Sequence, residues 1–162
     1  MKETIFKLTA RLLPVFALLA CFQLTASAQE SSAAKTARLL NETGYKLAKA
    51  SETVWMVPFE GKAQKDIAVV ASLSDDILVV FSVIAEKKNF KLSPELTMKL
   101  LRANSDYDRV KLGIDKDGDI FARIDISVRV MDLEDLKMNL EQIAAVADEI
   151  HAAVKPHLVK SK

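Results

Sequence analysis

The chain has 162 residues, of which 50% are hydrophobic and 6% aromatic, with only four Gly and four Pro, so it is neither a disordered tail nor a collagen-like chain. Its 23 basic and 22 acidic residues give a formal charge of +1, which argues against general attraction to nucleic acid or to an anionic membrane. One Cys and two His are too few for a disulfide framework, a zinc cluster or an iron–sulfur centre.

Residues 1–28 have the pattern of a secretory signal peptide. Basic residues come first, residues 12–24 are apolar, and Ala26-Ser27-Ala28 offers the small side chains that a leader peptidase requires. The apolar stretch is shorter than the roughly 20 residues that a membrane-crossing helix needs. We therefore expect cleavage before Gln29 and a mature protein that is periplasmic or secreted, with no transmembrane span.

A lipoprotein signal is the alternative for this leader. Leu18-Leu19-Ala20-Cys21 resembles a lipobox, in which Cys21 is acylated and becomes the first residue of the mature protein. Leu19 is a poor residue at its lipobox position, whereas the Ala-x-Ala site lies where a soluble product needs it. A lipidated Cys21 predicts a membrane-anchored lipoprotein, while cleavage before Gln29 discards the only thiol of the chain.

The mature chain, residues 29–162, has no repeat, no linker and no change of composition, which predicts a single domain. Ser74-Asp75-Asp76 predicts a tight turn between two β-rich segments. The segment after this turn is apolar at both parities, which predicts a central strand covered on both faces. The first half of the mature chain therefore predicts one helix, at residues 33–50, and three strands, at residues 53–59, 66–73 and 77–85.

The second half predicts a helix, a hairpin and a final helix. Ser93-Pro94-Glu95 is typical of a helix start, and Asp132 can cap the last helix. Between the helices, Gly118 supplies the positive φ that a tight hairpin requires. The two helices are expected at residues 94–103 and 133–154, and the two strands at residues 110–115 and 120–130.

This order of helix, three antiparallel strands, helix, two strands and helix predicts an α+β fold around one antiparallel sheet. Two stretches then carry a resemblance: Leu100-Leu101-Arg102-Ala103-Asn104, and residues 111–119 (Lys-Leu-Gly-Ile-Asp-Lys-Asp-Gly-Asp) before the amphipathic last helix. The chain resembles the type III secretion chaperone-like fold, and within it the bacterial sensory transduction regulator family. The resemblance implies a small protein, usually a homodimer, that binds another polypeptide rather than catalysing a reaction. Those relatives are cytoplasmic, whereas this chain carries an export signal.

Asp115, Asp117 and Asp119 alternate at the predicted hairpin tip, which invites a calcium-binding interpretation. An EF-hand loop requires Gly at its sixth position and Glu at its twelfth, whereas Gly118 is fourth here, so a solvated turn fits better. The two histidines do not have metal-ligand spacing. The sequence has no nucleophile elbow and no Gly-rich phosphate loop. We therefore expect no enzymatic activity, no metal and no cofactor.

Two surfaces are candidates for binding. One parity of the predicted strand 120–130 places an aromatic residue beside charged residues, a composition that interfaces select, although a solvated sheet face is the simpler alternative. This predicted protein-binding face consists of Phe121, Arg123, Asp125 and Arg129. The middle helix has more apolar circumference than one core contact needs, unless it tilts into a groove and buries all of it. This predicted dimer interface consists of Leu96, Met98, Leu100 and Leu101.

The sequence therefore predicts a non-catalytic, periplasmic protein-binding module of chaperone-like or regulatory kind. The partner is another polypeptide of unknown identity, and nucleic acid is not expected. One alternative is a structural or lipid-anchored envelope protein that only self-associates. A small-molecule binding domain is a further alternative.

Overall fold

The computed structural model describes residues 30–159, so the predicted leader and Cys21 lie outside the described residues. Within residues 30–159 the chain forms three α-helices and six strands. In chain order these are α1 (Ser32–Glu42), β1 (Ala48–Ser51), β2 (Val54–Phe59), β3 (Ile67–Ser74), β4 (Ile77–Ala85), α2 (Pro94–Ala103), β5 (Lys111–Ile114), β6 (Ile120–Ser127) and α3 (Leu133–Val154). Single 3-10 turns follow β4 and α3, at Lys87–Asn89 and Lys155–His157.

Capping side chains start the helices, as the sequence predicts for α2 and α3. The Ser93 hydroxyl accepts the N–H of Leu96 at 3.1 Å, and the Asp132 carboxylate accepts the N–H of Asp135 at 2.8 Å. Each bond satisfies a backbone donor that has no partner within its own helix. Both predicted helix starts are confirmed.

The prediction of one helix over residues 33–50 is wrong. The helix α1 ends at Glu42, and Gly44 takes a φ of +79°, which a right-handed helix does not accommodate. The chain then turns and residues 48–51 form β1, an edge strand that pairs with β2. The α+β fold class is confirmed, with four strands rather than three before the middle helix.

The six strands form one antiparallel sheet in the order β1-β2-β3-β4-β6-β5. The helix α3 lies across β3, β4 and β6, and α1 packs against α3. The helix α2 lies beside β5. Side chains that point toward the helices form a single core with the apolar stripe of α3. Trp55 belongs to this core, with 4% of its surface exposed.

The prediction that residues 77–85 are covered on both faces is wrong. Leu78 and Val80 are fully buried under the helices, but Ile77 and Val83, on the opposite face of the same strand, are 42% and 41% exposed. The helices of residues 30–159 pack against one face of the sheet, so the apolar second parity of β4 lies on the other, uncovered face.

The predicted strand 120–130 is also too long. The strand β6 ends at Ser127, whose carbonyl accepts the N–H of Met131 at 3.2 Å in a turn. This turn breaks the alternation of buried and exposed residues: Val130 is 83% exposed, whereas Met131 is 1% exposed. Among residues 30–159, no helix combines the length and the hydropathy needed to span a bilayer.

Candidate functional site

The face of the sheet opposite the helices is apolar over much of its width. Its members are the outward side chains of strands β2, β3, β4 and β6, which are exposed or half-buried because the helices lie on the other side. We call this surface the open sheet face, and its larger apolar residues are Val54, Met56, Val70, Ile77, Val79, Phe81, Val83 and Phe121. Met56, Ile77 and Val83 are each at least 40% exposed.

Strand register places these side chains in rows. Met56 pairs with Val70, Val70 pairs with Phe81, and Phe81 pairs with Arg123. Paired residues in neighbouring strands lie about 5 Å apart, so each row is continuous. The open sheet face is therefore one connected apolar surface rather than a set of separate residues.

A charged cluster borders this surface on β5 and β6. The Asp125 carboxylate accepts one hydrogen bond from Lys111 Nζ at 2.7 Å and another from Arg123 Nε at 2.6 Å. Partial burial acts to raise the pKa of Asp125, but the two cationic donors outweigh it, and the pKa lies below its ordinary value. Asp125 is therefore a carboxylate that is shared by two cations.

Phe121 lies at the same border, in space that a glycine of β5 leaves open. A Cβ atom on Gly113 would come within 2.8 Å of the Phe121 ring, so the ring lies directly over the backbone of β5. Phe121 and Val83 are paired across β6 and β4. The aromatic ring therefore connects the apolar part of the open sheet face to the charged cluster.

The structure brings three of the four residues of the predicted protein-binding face together. Phe121, Arg123 and Asp125 share the outward side of β6, whereas Arg129 lies beyond the end of the strand and does not extend this row. The Arg129 guanidinium instead donates to the Asp76 carboxylate at 2.6 and 2.8 Å, and Ser32 donates to the same carboxylate. Arg129 thus ties the end of β6 to the β3–β4 turn and to the start of α1.

The residues of the predicted dimer interface separate into two pairs. Leu96 and Leu100 are 0% and 5% exposed and belong to the core, so they cannot contact a second molecule. Met98 and Leu101 are 49% and 60% exposed on the outer surface of α2. Met98 also lines a groove of about 770 Å³ between α2 and α3.

Two of the three aspartates at the β5–β6 turn, Asp115 and Asp119, accept hydrogen bonds from backbone N–H groups. The Asp115 carboxylate accepts the N–H groups of Asp117 and Asp119, each at 2.9 Å, and Gly118 has a φ of +91°. The Asp119 carboxylate accepts the N–H of Lys87 at 2.8 Å. Among residues 30–159, no group of three or more His, Cys, Asp or Glu side chains is placed to hold a metal ion.

Sequence reasoning missed two polar contacts that position the loops around the sheet. The Asp148 carboxylate accepts three backbone N–H groups of the β2–β3 loop, from Lys62, Ala63 and Gln64, at 2.8 to 2.9 Å. Arg109 donates to Asp135 at 3.2 Å and to Asn139 at 2.5 Å. No local sequence pattern indicates such partners, either for an aspartate on an amphipathic helix or for an arginine in a loop.

No protein-family model matches the sequence, and no curated protein matches it. The structure, however, is similar to solved structures. A chain of the ExoU–SpcU complex, from the type III secretion system of Pseudomonas aeruginosa, is 17% identical over 75% of this chain and 95% of that chain, with a TM-score of 0.50. A chain of the HopA1–SchA chaperone–effector complex is 15% identical over 77% of this chain and 96% of that chain, with a TM-score of 0.55.

YbjN from E. coli, of the sensory transduction regulator family, is 17% identical over 78% of this chain and 94% of that chain, with a TM-score of 0.51. TM-scores of 0.50 to 0.55, at identities of only 15 to 17%, show a shared fold. Residues 30–159 therefore have the type III secretion chaperone-like fold that the sequence resembles.

Proposed function

We propose that this protein is a non-catalytic, exported module that binds a partner polypeptide on its open sheet face. The observation that carries the proposal is the connected apolar surface of β2, β3, β4 and β6, on the side of the sheet away from the helices. Burial of a large apolar side chain is worth about 1.5 to 3 kcal/mol, so a surface with several of them favours a covering partner.

A polypeptide suits this surface better than a small molecule does. Small-molecule sites are concave and enclose most of the ligand, whereas a sheet face is broad and open. An apolar centre with charged residues at its border is the arrangement of protein interfaces. Two of the similar solved structures are complexes of two proteins, one of them a chaperone with an effector, which supports a protein partner.

The leader supports a location for the partner. Residues 1–28 support export, so we propose that the protein meets its partner in the periplasm or outside the cell. Intact-mass measurement of the exported protein tests this, and we expect a first residue at Gln29 without lipid. A mass that includes diacylglycerol on Cys21 contradicts the soluble form and assigns the protein to a membrane surface.

Photo-crosslinking in cells of the source organism tests the binding surface. We expect a photoreactive amino acid at position 83, on the open sheet face, to capture a partner protein. The same amino acid at position 130 is the matched control, because Val130 is exposed but lies in the turn after β6. Val83→Glu should abolish the complex and Val130→Glu should preserve it. Equal crosslinking at both positions, or none at either, contradicts the proposal.

Self-association through α2 is a second candidate, favoured by the pattern of its outer surface. Glu95, Met98, Lys99 and Arg102 follow the spacing i, i+3, i+4, i+7 and all line the groove beside α3. In an antiparallel pair of α2 helices centred near Met98, each Glu95 faces the Arg102 of a second copy. This stripe is therefore self-complementary, as a two-fold contact requires.

A further inference from the structure

The charged side chains on and beside the open sheet face all lie at one side of it, on β5 and β6. Among the outward side chains of the strands that form this face, and of β5, which borders it, only Lys111, Arg123 and Asp125 are charged. The remaining outward positions are apolar, Gly, Pro or Ser. Two cations and one carboxylate leave a net charge of one positive unit, located at the β5–β6 side.

The geometry of this cluster leaves donors available at its surface. Arg123 uses Nε to reach Asp125, so within residues 30–159 both terminal amino groups of its guanidinium have no hydrogen-bond acceptor. The side chains of Lys111 and Arg123 are 67% and 44% exposed, whereas that of Asp125 is 27% exposed. The cationic groups are therefore more accessible than the carboxylate between them. A guanidinium with two adjacent free amino groups is suited to a bidentate carboxylate.

The cluster lies at one end of a row that crosses the sheet. Strand register joins Met56, Val70, Phe81, Arg123 and Lys111 in that order, across β2, β3, β4, β6 and β5. At about 4.8 Å per strand the row is roughly 19 Å long. A segment lying along it meets apolar side chains first and cations last.

We propose that the partner segment on the open sheet face is apolar where it covers β2, β3 and β4 and carries one or more Asp or Glu residues where it reaches Arg123 and Lys111. This inference rests on the proposed function and specifies the chemistry of the partner. A basic segment at the same position meets two cations, and the one carboxylate there is already satisfied by both of them.

Two pools of synthetic fluorescent peptides test the proposal. Their extended peptides, about ten residues long, have identical apolar positions and carry either Glu or Lys at the charged positions. Fluorescence anisotropy at low salt should show that the Glu pool binds the mature protein about fivefold to tenfold more tightly than the Lys pool, with the preference falling as salt is added. Val83→Glu should weaken the binding of both pools.

Charge variants test whether Asp125 and Arg123 cause the preference for acidic peptides. Asp125→Asn removes the internal carboxylate that competes with the partner, so it should strengthen binding of the Glu pool. Arg123→Ser should weaken binding of the Glu pool, and Arg129→Ser is the matched control because Arg129 lies beyond β6 and pairs with Asp76. Circular dichroism of each variant should match that of the unmodified protein.

The possible failures are distinguishable. Equal affinity for the two pools, a preference for Lys, or weaker binding of the Glu pool by Asp125→Asn overturns the acidic preference while leaving a binding surface in place. No binding of either pool contradicts the binding of polypeptides on the open sheet face, and with it this inference.

Discussion

Thr36 is a polar residue in an apolar environment. It lies on the buried side of α1, is 0% exposed, and its hydroxyl has no hydrogen-bond partner within residues 30–159. A buried hydroxyl without a partner loses its hydration and gains nothing in return. The residue therefore reduces the stability of the core.

We expect Thr36→Val to raise the free energy of unfolding by about 1 kcal/mol, because the shape is retained and an unpaired polar atom is removed. Val and Thr have similar helix propensities, so α1 itself is little affected. Thr36→Ser is the matched control: it keeps the hydroxyl, loses the methyl group and should destabilise. Urea unfolding at neutral pH measures both, and a less stable Val variant contradicts the prediction.

Asp148 connects the β2–β3 loop to α3. Its carboxylate accepts three backbone N–H groups, and a Cβ on Gly61 would come within 2.2 Å of one of its oxygens, so the loop fits closely around it. Hydrogen bonds from the backbone of Gln64, Lys62 and Ala63 outweigh burial and hold the pKa of Asp148 below the ordinary 3.8. The ionised form is thus favoured in the folded protein.

We expect Asp148→Asn to lower the stability in a pH-dependent way. A carboxyl group whose pKa is depressed by folding stabilises the folded state above its unfolded pKa, and this contribution disappears as the pH falls through the folded pKa. The melting temperature of the unmodified protein should exceed that of Asp148→Asn at pH 7, and the two should converge below the ordinary pKa of 3.8. A difference that is constant with pH contradicts the role of the charge.

At the scale of elements, Asn104 joins the end of α2 to the outer edge of the sheet. Its side-chain oxygen accepts the N–H of Leu112 at 2.7 Å, and its amide nitrogen donates to the carbonyls of Leu112 and Leu100, each at 3.2 Å. The Asn104 side chain thereby makes the hydrogen bonds to the backbone of Leu112 that a neighbouring strand would otherwise make. The edge of strand β5 is covered at this point by the end of α2, so its backbone groups are not free to pair with another chain.

We expect Asn104→Ala to destabilise the protein by about 1 to 2 kcal/mol, since it removes these bonds. Amide hydrogen exchange should show faster exchange of the Leu112 N–H. The amides of β3 should still exchange only through global unfolding of the protein. Asn104→Asp keeps an oxygen for the Leu112 N–H and should protect that amide better than Ala does. Unchanged exchange of Leu112 in the Ala variant contradicts the proposed covering of this edge.

At the scale of the whole molecule, the outer surface of α2 leads to a prediction about the oligomeric state. We predict that the mature protein is a homodimer and that Met98→Glu converts it to a monomer, because the change places a carboxylate at the centre of the self-complementary stripe. Since Met98 is 49% exposed, the fold should persist. Light scattering should shift from the mass of two protomers to that of one, with unchanged far-ultraviolet circular dichroism.

Met138→Glu is the control for this experiment, because Met138 is 51% exposed on α3 and outside the stripe. This variant should remain dimeric. An unmodified protein that is monomeric at tens of micromolar contradicts the dimer, and the open sheet face is then the remaining apolar surface for a partner.

Elements whose signals are local could be predicted from the amino-acid sequence. Ser93 and Asp132 cap helices through bonds to residues three positions away, and the apolar stripe of α3 repeats over its whole length, so both helices could be predicted closely. β-rich composition and a turn signal likewise located β2, β3 and β4, and alternation located most of β6. Three residues of the predicted protein-binding face, Phe121, Arg123 and Asp125, share one side of β6 for the same reason.

Features that depend on partners distant in the chain could not be predicted from the sequence. Residues 48–51, Ala-Lys-Ala-Ser, have little β-propensity, and they form β1 because the edge of β2 offers hydrogen bonds. Arg129 lies beyond the turn that ends β6, where Asp76, far away in the chain, accepts its guanidinium. The apolar second parity of β4 is compatible with a buried core or with a binding surface. Because the helices of residues 30–159 pack on one side of the sheet, that parity became a surface. A sequence pattern indicates which residues avoid water but not which element, or which partner, covers them.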